Sequence, residues 1–175
     1  MTYLENIQAA MSLIAKQKNS IFLGQSVAVP GNLLFQSLKK VPQKQKIELP
    51  IFEDAQLGIS LGMALNNSLP VSCYPRFDFF LLAFNQLVNH IDKINQISSK
   101  NFNPFLIMRV LVGAKKPVDA GPQHTQNFIK PVKLMCKNIK IVNLNDKKKI
   151  IKSYKDCLKS KKTTLFVEYS DKYYL

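Results

Sequence analysis

Residues 47–65 read IELPIFEDAQLGISLGMAL. An apolar run, Leu49-Pro50-Ile51-Phe52, meets one carboxylate, Glu53. A helix spaced by the small residues Ala55, Gly58 and Gly62 follows. An acid at a strand-to-helix junction among apolar neighbours is costly to keep charged. Two uses fit it. It is either a first-turn acid favoured by the helix dipole or a chemical tool, and the rest of the chain has to decide.

Working outward, the hydrophobic pattern alternates between helical and strand periods. Leu4, Ile7, Met11 and Ile14 predict an amphipathic helix over 3–17. A short strand over 21–24, a helix over 32–40 and a Lys/Gln/Pro linker over 41–46 follow. A strand over 47–51 then leads into the helix over 53–66. A strand over 71–74 and a loop over 75–78 precede a long helix over 79–97, with Asp78 as its expected N-cap. Phe105–Val112 is a continuous apolar run, as in a central parallel strand. A loop over 113–127, a helix over 128–136, a strand over 139–143, a helix over 146–159 and a strand over 164–169 complete the chain. This alternation predicts an α/β three-layer sandwich with a largely parallel central sheet. The 175 residues, 46% of them hydrophobic, suit one domain over 1–175.

The formal charge of +14 raises the question of nucleic acid. Arg76 and Arg109 are the only arginines among 25 basic residues. Base readout and bidentate phosphate contact favour arginine, so a solvated lysine surface is the better reading. Cys73, Cys136 and Cys157 lack disulfide or zinc spacing, and the expected compartment is the cytoplasm. The longest apolar run contains Arg109 and is too short to span a bilayer.

Three segments follow predicted strands and so share one rim of the sheet, where ligands of such folds bind. Glu53 is the first. The second is Arg76-Phe77-Asp78-Phe79-Phe80, whose aromatics are either core or a stacking wall for a flat heterocycle. The third, Gly121-Pro122-Gln123-His124-Thr125-Gln126, sets a histidine in a polar loop. There it serves as a general acid or base or simply as a surface residue.

Together and in order, these segments resemble the pyrimidine-binding domain of thiamine diphosphate enzymes. The likeness is closest to the beta subunit of the decarboxylating component of 2-oxo acid dehydrogenases. Leu49-Pro50-Ile51-Phe52-Glu53 is similar to that family's TPISE element. Phe77-Asp78-Phe79 with Asn85-Gln86-Leu87-Val88-Asn89 is similar to F-x-F…DQ-x-x-N, and residues 121–126 to GPQHSQ. Phe22-Leu23-Gly24 matches the start of LLGE. The resemblance implies that Glu53 hydrogen-bonds a ring nitrogen of the cofactor's aminopyrimidine and favours its imino tautomer. It implies that Phe79, and more weakly Phe77, walls the pyrimidine, that Ile51 lines its edge, and that His124 lies near the reacting carbon. Gln123 and Arg76 become candidates for substrate contact.

The departures shape the remaining expectations. The family's C-terminal domain is absent from the sequence. So is the Gly-Asp-Gly…Asn motif for magnesium and diphosphate, which in this family belongs to another chain. The expected assembly is therefore a heterotetramer with a separate diphosphate-binding subunit, with Ala55, Gly58 and Gly62 letting their helix pack closely against another element. The expected substrate is a 2-oxo acid or ketose. Arg76 stands where the family is often neutral; it suits a substrate carboxylate or phosphate, or an acid on the partner. The alternatives are a non-catalytic binding or regulatory module on the same fold and, less favoured, a basic nucleic-acid-binding domain.

Overall fold

In a computed structural model that describes residues 1–116 and 118–174, six parallel strands form one open sheet in the order β2-β1-β3-β4-β6-β5. The strands are β1 (Ser20–Gly24), β2 (Lys46–Glu48), β3 (Leu69–Tyr74), β4 (Ile107–Val112), β5 (Lys140–Asn143) and β6 (Thr164–Tyr169). β3 and β4 are buried along their whole length, as continuous apolar strands should be when both faces are covered. β2 and β5 form the edges and are correspondingly more exposed.

Helices α1 (Tyr3–Ala15), α2 (Leu33–Ser37) and α7 (Ile150–Ser160) cover one face of the sheet. Ile7, Met11 and Ile14 of α1 are fully buried there with Phe22, Leu111 and Tyr154. Thr2 and Glu5 close the start of α1 as a reciprocal capping box. Helices α3 (Glu53–Leu65), α4 (Phe77–Phe80), α5 (Ile94–Ile97) and α6 (Ile129–Met135) follow the other strands. Leu57, Phe77, Phe80, Leu87 and Val132 fill the second core with Met108 and Val110. The three-layer α/β expectation therefore holds.

Three details differ from the sequence reading. β2 ends at Glu48 instead of running to 51. The Leu49 amide makes one further rung to the Gly24 carbonyl at 3.0 Å, after which Pro50 has no N–H to continue the ladder. The long helix over 79–97 is broken into α4, a 3-10 turn (Leu81–Ala83), a π turn (Gln86–Ile91) and α5. The wide turn delivers Asp92, whose carboxylate accepts from the Lys137 and Asn138 amides at 2.9 and 2.7 Å. Asp78 lies inside α4 and does not cap it; the cap position falls on Arg76, in extended conformation.

A fully buried ion pair crosses the first core. Arg109 donates from Nε and Nη2 to Glu168 at 2.7 and 2.8 Å, and from Nη2 to the Ser37 hydroxyl at 2.9 Å. Tyr154 and Tyr173 donate their hydroxyls to the same carboxylate. Arg109 thus has a structural partner, which explains a charge in the middle of an apolar strand. Lys147, Lys148, Lys149, Lys152, Lys155 and Lys159 lie on exposed surface. No described helix is long and apolar enough to cross a membrane.

Candidate functional site

Glu53 is the first residue of α3 and is only 6% exposed. One turn later the buried Gln56 straddles two strands, donating to the Leu23 carbonyl of β1 at 3.4 Å and to the Cys73 carbonyl and Ser72 hydroxyl of β3, both at 3.0 Å. Gly24 makes this crossing possible. Its φ is +143°, and a Cβ there would lie 2.2 Å from the Cys73 carbonyl oxygen. α3 is thereby fixed across β1 and β3, and Glu53 is carried from the sheet edge toward its middle. Among the described residues the Glu53 side chain has no hydrogen-bond partner. Burial, with Glu53 and Asp54 adding to it, pushes the nearby Tyr74 hydroxyl well above its ordinary range.

Ile51 and Phe52, just before Glu53, are 68% and 65% exposed. This is unusual for large apolar side chains beside a buried acid. The aromatics of α4 divide. Phe77 is fully buried, its ring centroid 6.1 Å from Phe80 and 5.5 Å from Phe128. Phe77 therefore does not present its ring at the surface as expected of a stacking wall, whereas Phe79 is exposed. His124 stands edge-on to that Phe79 ring, at 5.4 Å between centroids and 88° between planes. Residues 45 positions apart in sequence are thus brought into contact, as the shared rim requires.

The loop carrying His124 is built from its own backbone. Gly121, at φ +85°, accepts at its carbonyl from the His124 amide and the Thr125 hydroxyl, both at 3.1 Å. Asp78 anchors the far end by accepting from the Gln126 side-chain amide at 3.0 Å. Gly113, at the end of β4, sits directly beneath. A Cβ there would be 1.9 Å from the His124 carbonyl oxygen. Gln123 is exposed at the loop tip. Arg76 is half-buried. Its Nη1 donates back to the Pro75 carbonyl at 2.7 Å, and its Nε is enclosed without a partner.

Sequence reasoning missed three contributors. Glu48 accepts from the amides of Ser26, Val27, Ala28 and Val29 and so shapes the loop after β1. The roles of Gln56 and Asp78 likewise depend on partners far along the chain. Only the Gly24, Pro30 and Gly31 punctuation of the loop hints at such a contact in the sequence.

An open parallel sheet with an acid, an exposed aromatic and an imidazole on the rim beyond its strand ends defines an α/β ligand-binding domain. Residues 1–174 match the family described as transketolase, pyrimidine binding domain, and the chain belongs to that family. It is 27% identical over 132 residues to the mitochondrial pyruvate dehydrogenase E1 component subunit beta of Saccharomyces cerevisiae, covering 73% of this chain and 36% of that protein. The Ascaris suum protein of the same description is 26% identical over 146 residues, covering 81% and 40%. The 2-oxoisovalerate dehydrogenase subunit beta of Bacillus subtilis is 23% identical over 131 residues, covering 73% and 39%. The chain therefore spans less than half the length of these relatives. A solved split-gene transketolase, described as an inactive beta4 tetramer, superposes with a TM-score of 0.71 at 13% identity. That match covers 97% of this chain and 52% of the other, and it shows the fold.

Proposed function

We propose that this chain is the pyrimidine-binding half of a thiamine diphosphate-dependent enzyme acting on a 2-oxo acid or ketose. The observation that carries the reading is Glu53, a carboxyl only 6% exposed with no hydrogen-bond partner among the described residues, which follows a strand of the same parallel sheet as the Phe79–His124 pair and comes two residues after exposed Ile51. The Glu53 oxygens are not among the polar atoms sealed from solvent, so they are free to exchange water for a bond to a ligand. A ring nitrogen of the aminopyrimidine would provide the missing bond, so the residues fit that part of the cofactor.

When bound, thiamine diphosphate supplies the carbanion chemistry. Glu53 holds a proton in a hydrogen bond at the pyrimidine nitrogen. Phe79 offers its exposed ring to the heterocycle and Ile51 covers an edge. His124, oriented by Phe79 and by its own tight turn, holds or moves a proton at its imidazole nitrogens beside the substrate. Gln123 at the loop tip is a substrate contact. Phe77 supports α4 from within the core.

Among the described residues no three His, Cys, Asp or Glu side chains gather as a cation site. In our reading magnesium and the diphosphate are held by a separate subunit, as the family resemblance implies. Ile59, Leu81 and Leu82 are exposed apolar side chains, as are Ile51 and Phe52, and a Cβ on Gly62 would meet nothing within 4 Å. Such a surface supports an assembly with the site at a subunit interface, a heterotetramer in our reading.

The test is co-expression with a diphosphate-binding chain and turnover on a panel of 2-oxo acids and ketose phosphates. Glu53→Gln should lose activity on the order of a hundredfold or more. Full activity in that variant would refute the assignment.

A further inference from the structure

A cleft of about 510 Å³ opens beside the His124 loop. Gly31, Asn32, Arg76, Ala114, Ala120 and Ser170 contribute to its walls. Its volume suits a small ligand. Among the described residues Arg76 is the single charged residue lining it. Among the described residues Arg76 makes no ion pair.

Two polar atoms of this wall lack partners. Arg76 Nε and Ser170 Oγ are both shielded from solvent and unbonded, and Ser170 as a whole is 2% exposed. Native proteins satisfy the great majority of such groups, because an unmade bond costs about 1–3 kcal/mol, more when charged. Arg109 shows what this chain does with a structural arginine: it gives it a bidentate carboxylate. Arg76 has only the carbonyl of its own neighbour. A turn of the guanidinium would release that bond and free its donors for a ligand in the cleft that Ser170 also lines.

The cleft adjoins the candidate catalytic groups. A Cβ on Gly113 would touch both the His124 carbonyl oxygen and, at 3.6 Å, Arg76 Cδ. Ala114 and Ala120 belong to the segment that carries His124. We propose that Arg76 and Ser170 form an anion subsite that holds the carboxylate or phosphate of the substrate beside His124. A planar guanidinium presents a fork matched to either anion, and the serine hydroxyl adds one donor. The inference rests on the proposed reaction for its choice of ligand but not for its geometry.

With two arginines in the chain, the Nε–H region of a proton–nitrogen NMR spectrum holds one signal for Arg76 and one for Arg109. The full chain is titrated with inorganic phosphate and, separately, with pyruvate, against sodium chloride at equal ionic strength. The Arg76 signal should move saturably with at least one of the two probes, and which one moves it decides between a phosphorylated and a carboxylate substrate. The Arg109 signal should stay in place and certify the fold. Arg76→Gln should abolish binding seen at neighbouring amides, and Ser170→Ala should weaken it about fivefold to tenfold, the value of one hydrogen bond. Glu53→Gln should leave the titration unchanged, so that failure here and failure of the cofactor assignment are separable. Movement equal to that in chloride would overturn the proposal. So would an Arg76 signal that the partner subunit shifts while abolishing anion binding, which would make Arg76 an interface ion-pair residue.

Discussion

Replacing Gly113 with alanine tests how the His124 loop is held. A methyl group there would start 1.9 Å from the His124 carbonyl oxygen, whereas ordinary contact begins at 3.4 Å. The obstacle is backbone, so the loop has to retreat by about 1.5 Å, the difference between these distances. Gly121 and Asp78 tie both ends of the loop, and the movement is forced on the histidine between them. Such overpacking costs about 1–3 kcal/mol of stability. A displacement of this size at a positioned catalytic group costs on the order of a hundredfold in rate. Imidazole proton shifts report the geometry, because Phe79 holds its ring 5.4 Å away and its ring current acts on His124. The variant should remain folded, with displaced His124 resonances and a fall in turnover by the reconstituted complex. Unchanged resonances and unchanged turnover would refute the claim that contact with Gly113 sets the position of His124.

Other expectations follow from the same structure. Glu168→Gln leaves Arg109 buried without its counter-charge and should lower stability by about 3–5 kcal/mol, read from urea unfolding; a change below 1 kcal/mol would contradict the buried pair. Burial raises the Cys73 thiol from its ordinary 9.0 to about 11. Between those values the unfolded chain has given up a proton that the folded chain keeps, so stability should be intact below pH 9 and fall as pH rises. The slope from this thiol is about 1.4 kcal/mol per pH unit. Buried Tyr154 and Tyr173, also raised, extend the loss to higher pH. Alkaline unfolding curves measure it, and a flat profile through pH 11 would contradict the burial of these groups. Leu82→Glu, on the exposed apolar surface, should weaken co-purification of the diphosphate-binding chain while changing monomer stability by less than about 0.5 kcal/mol.

The layered architecture was readable because it depends on periodicity. The apolar runs of β3 and β4 and the spacing of Ile7, Met11 and Ile14 have few other solutions. The three candidate segments could be set on one rim from sequence because each follows a strand of the same parallel sheet. What local pattern could not carry was contact between distant residues. Phe77 and Phe79 are two positions apart in FDFF, yet one packs into the core and the other faces outward. The path of the chain through α4 decides that, and periodicity over 79–97 read this region as one regular helix. The long helix failed because Asp92 is drawn to amides 45 residues later, at Lys137, which favours a wide turn. Pro50 could have ended β2 early, had its missing donor been weighed against the apolar run. Ser170 gave no signal, since a buried serine differs from a surface one only in what surrounds it.

The central claim is that Glu53 activates the cofactor through the pyrimidine. Its most direct test is the rate at which the thiazolium C2 proton of thiamine diphosphate exchanges for deuterium in the complex with the diphosphate-binding subunit. The account predicts fast exchange with the native chain and exchange slowed on the order of a hundredfold or more in Glu53→Gln, with cofactor still bound. Equal exchange rates in the two, at equal occupancy, would contradict it.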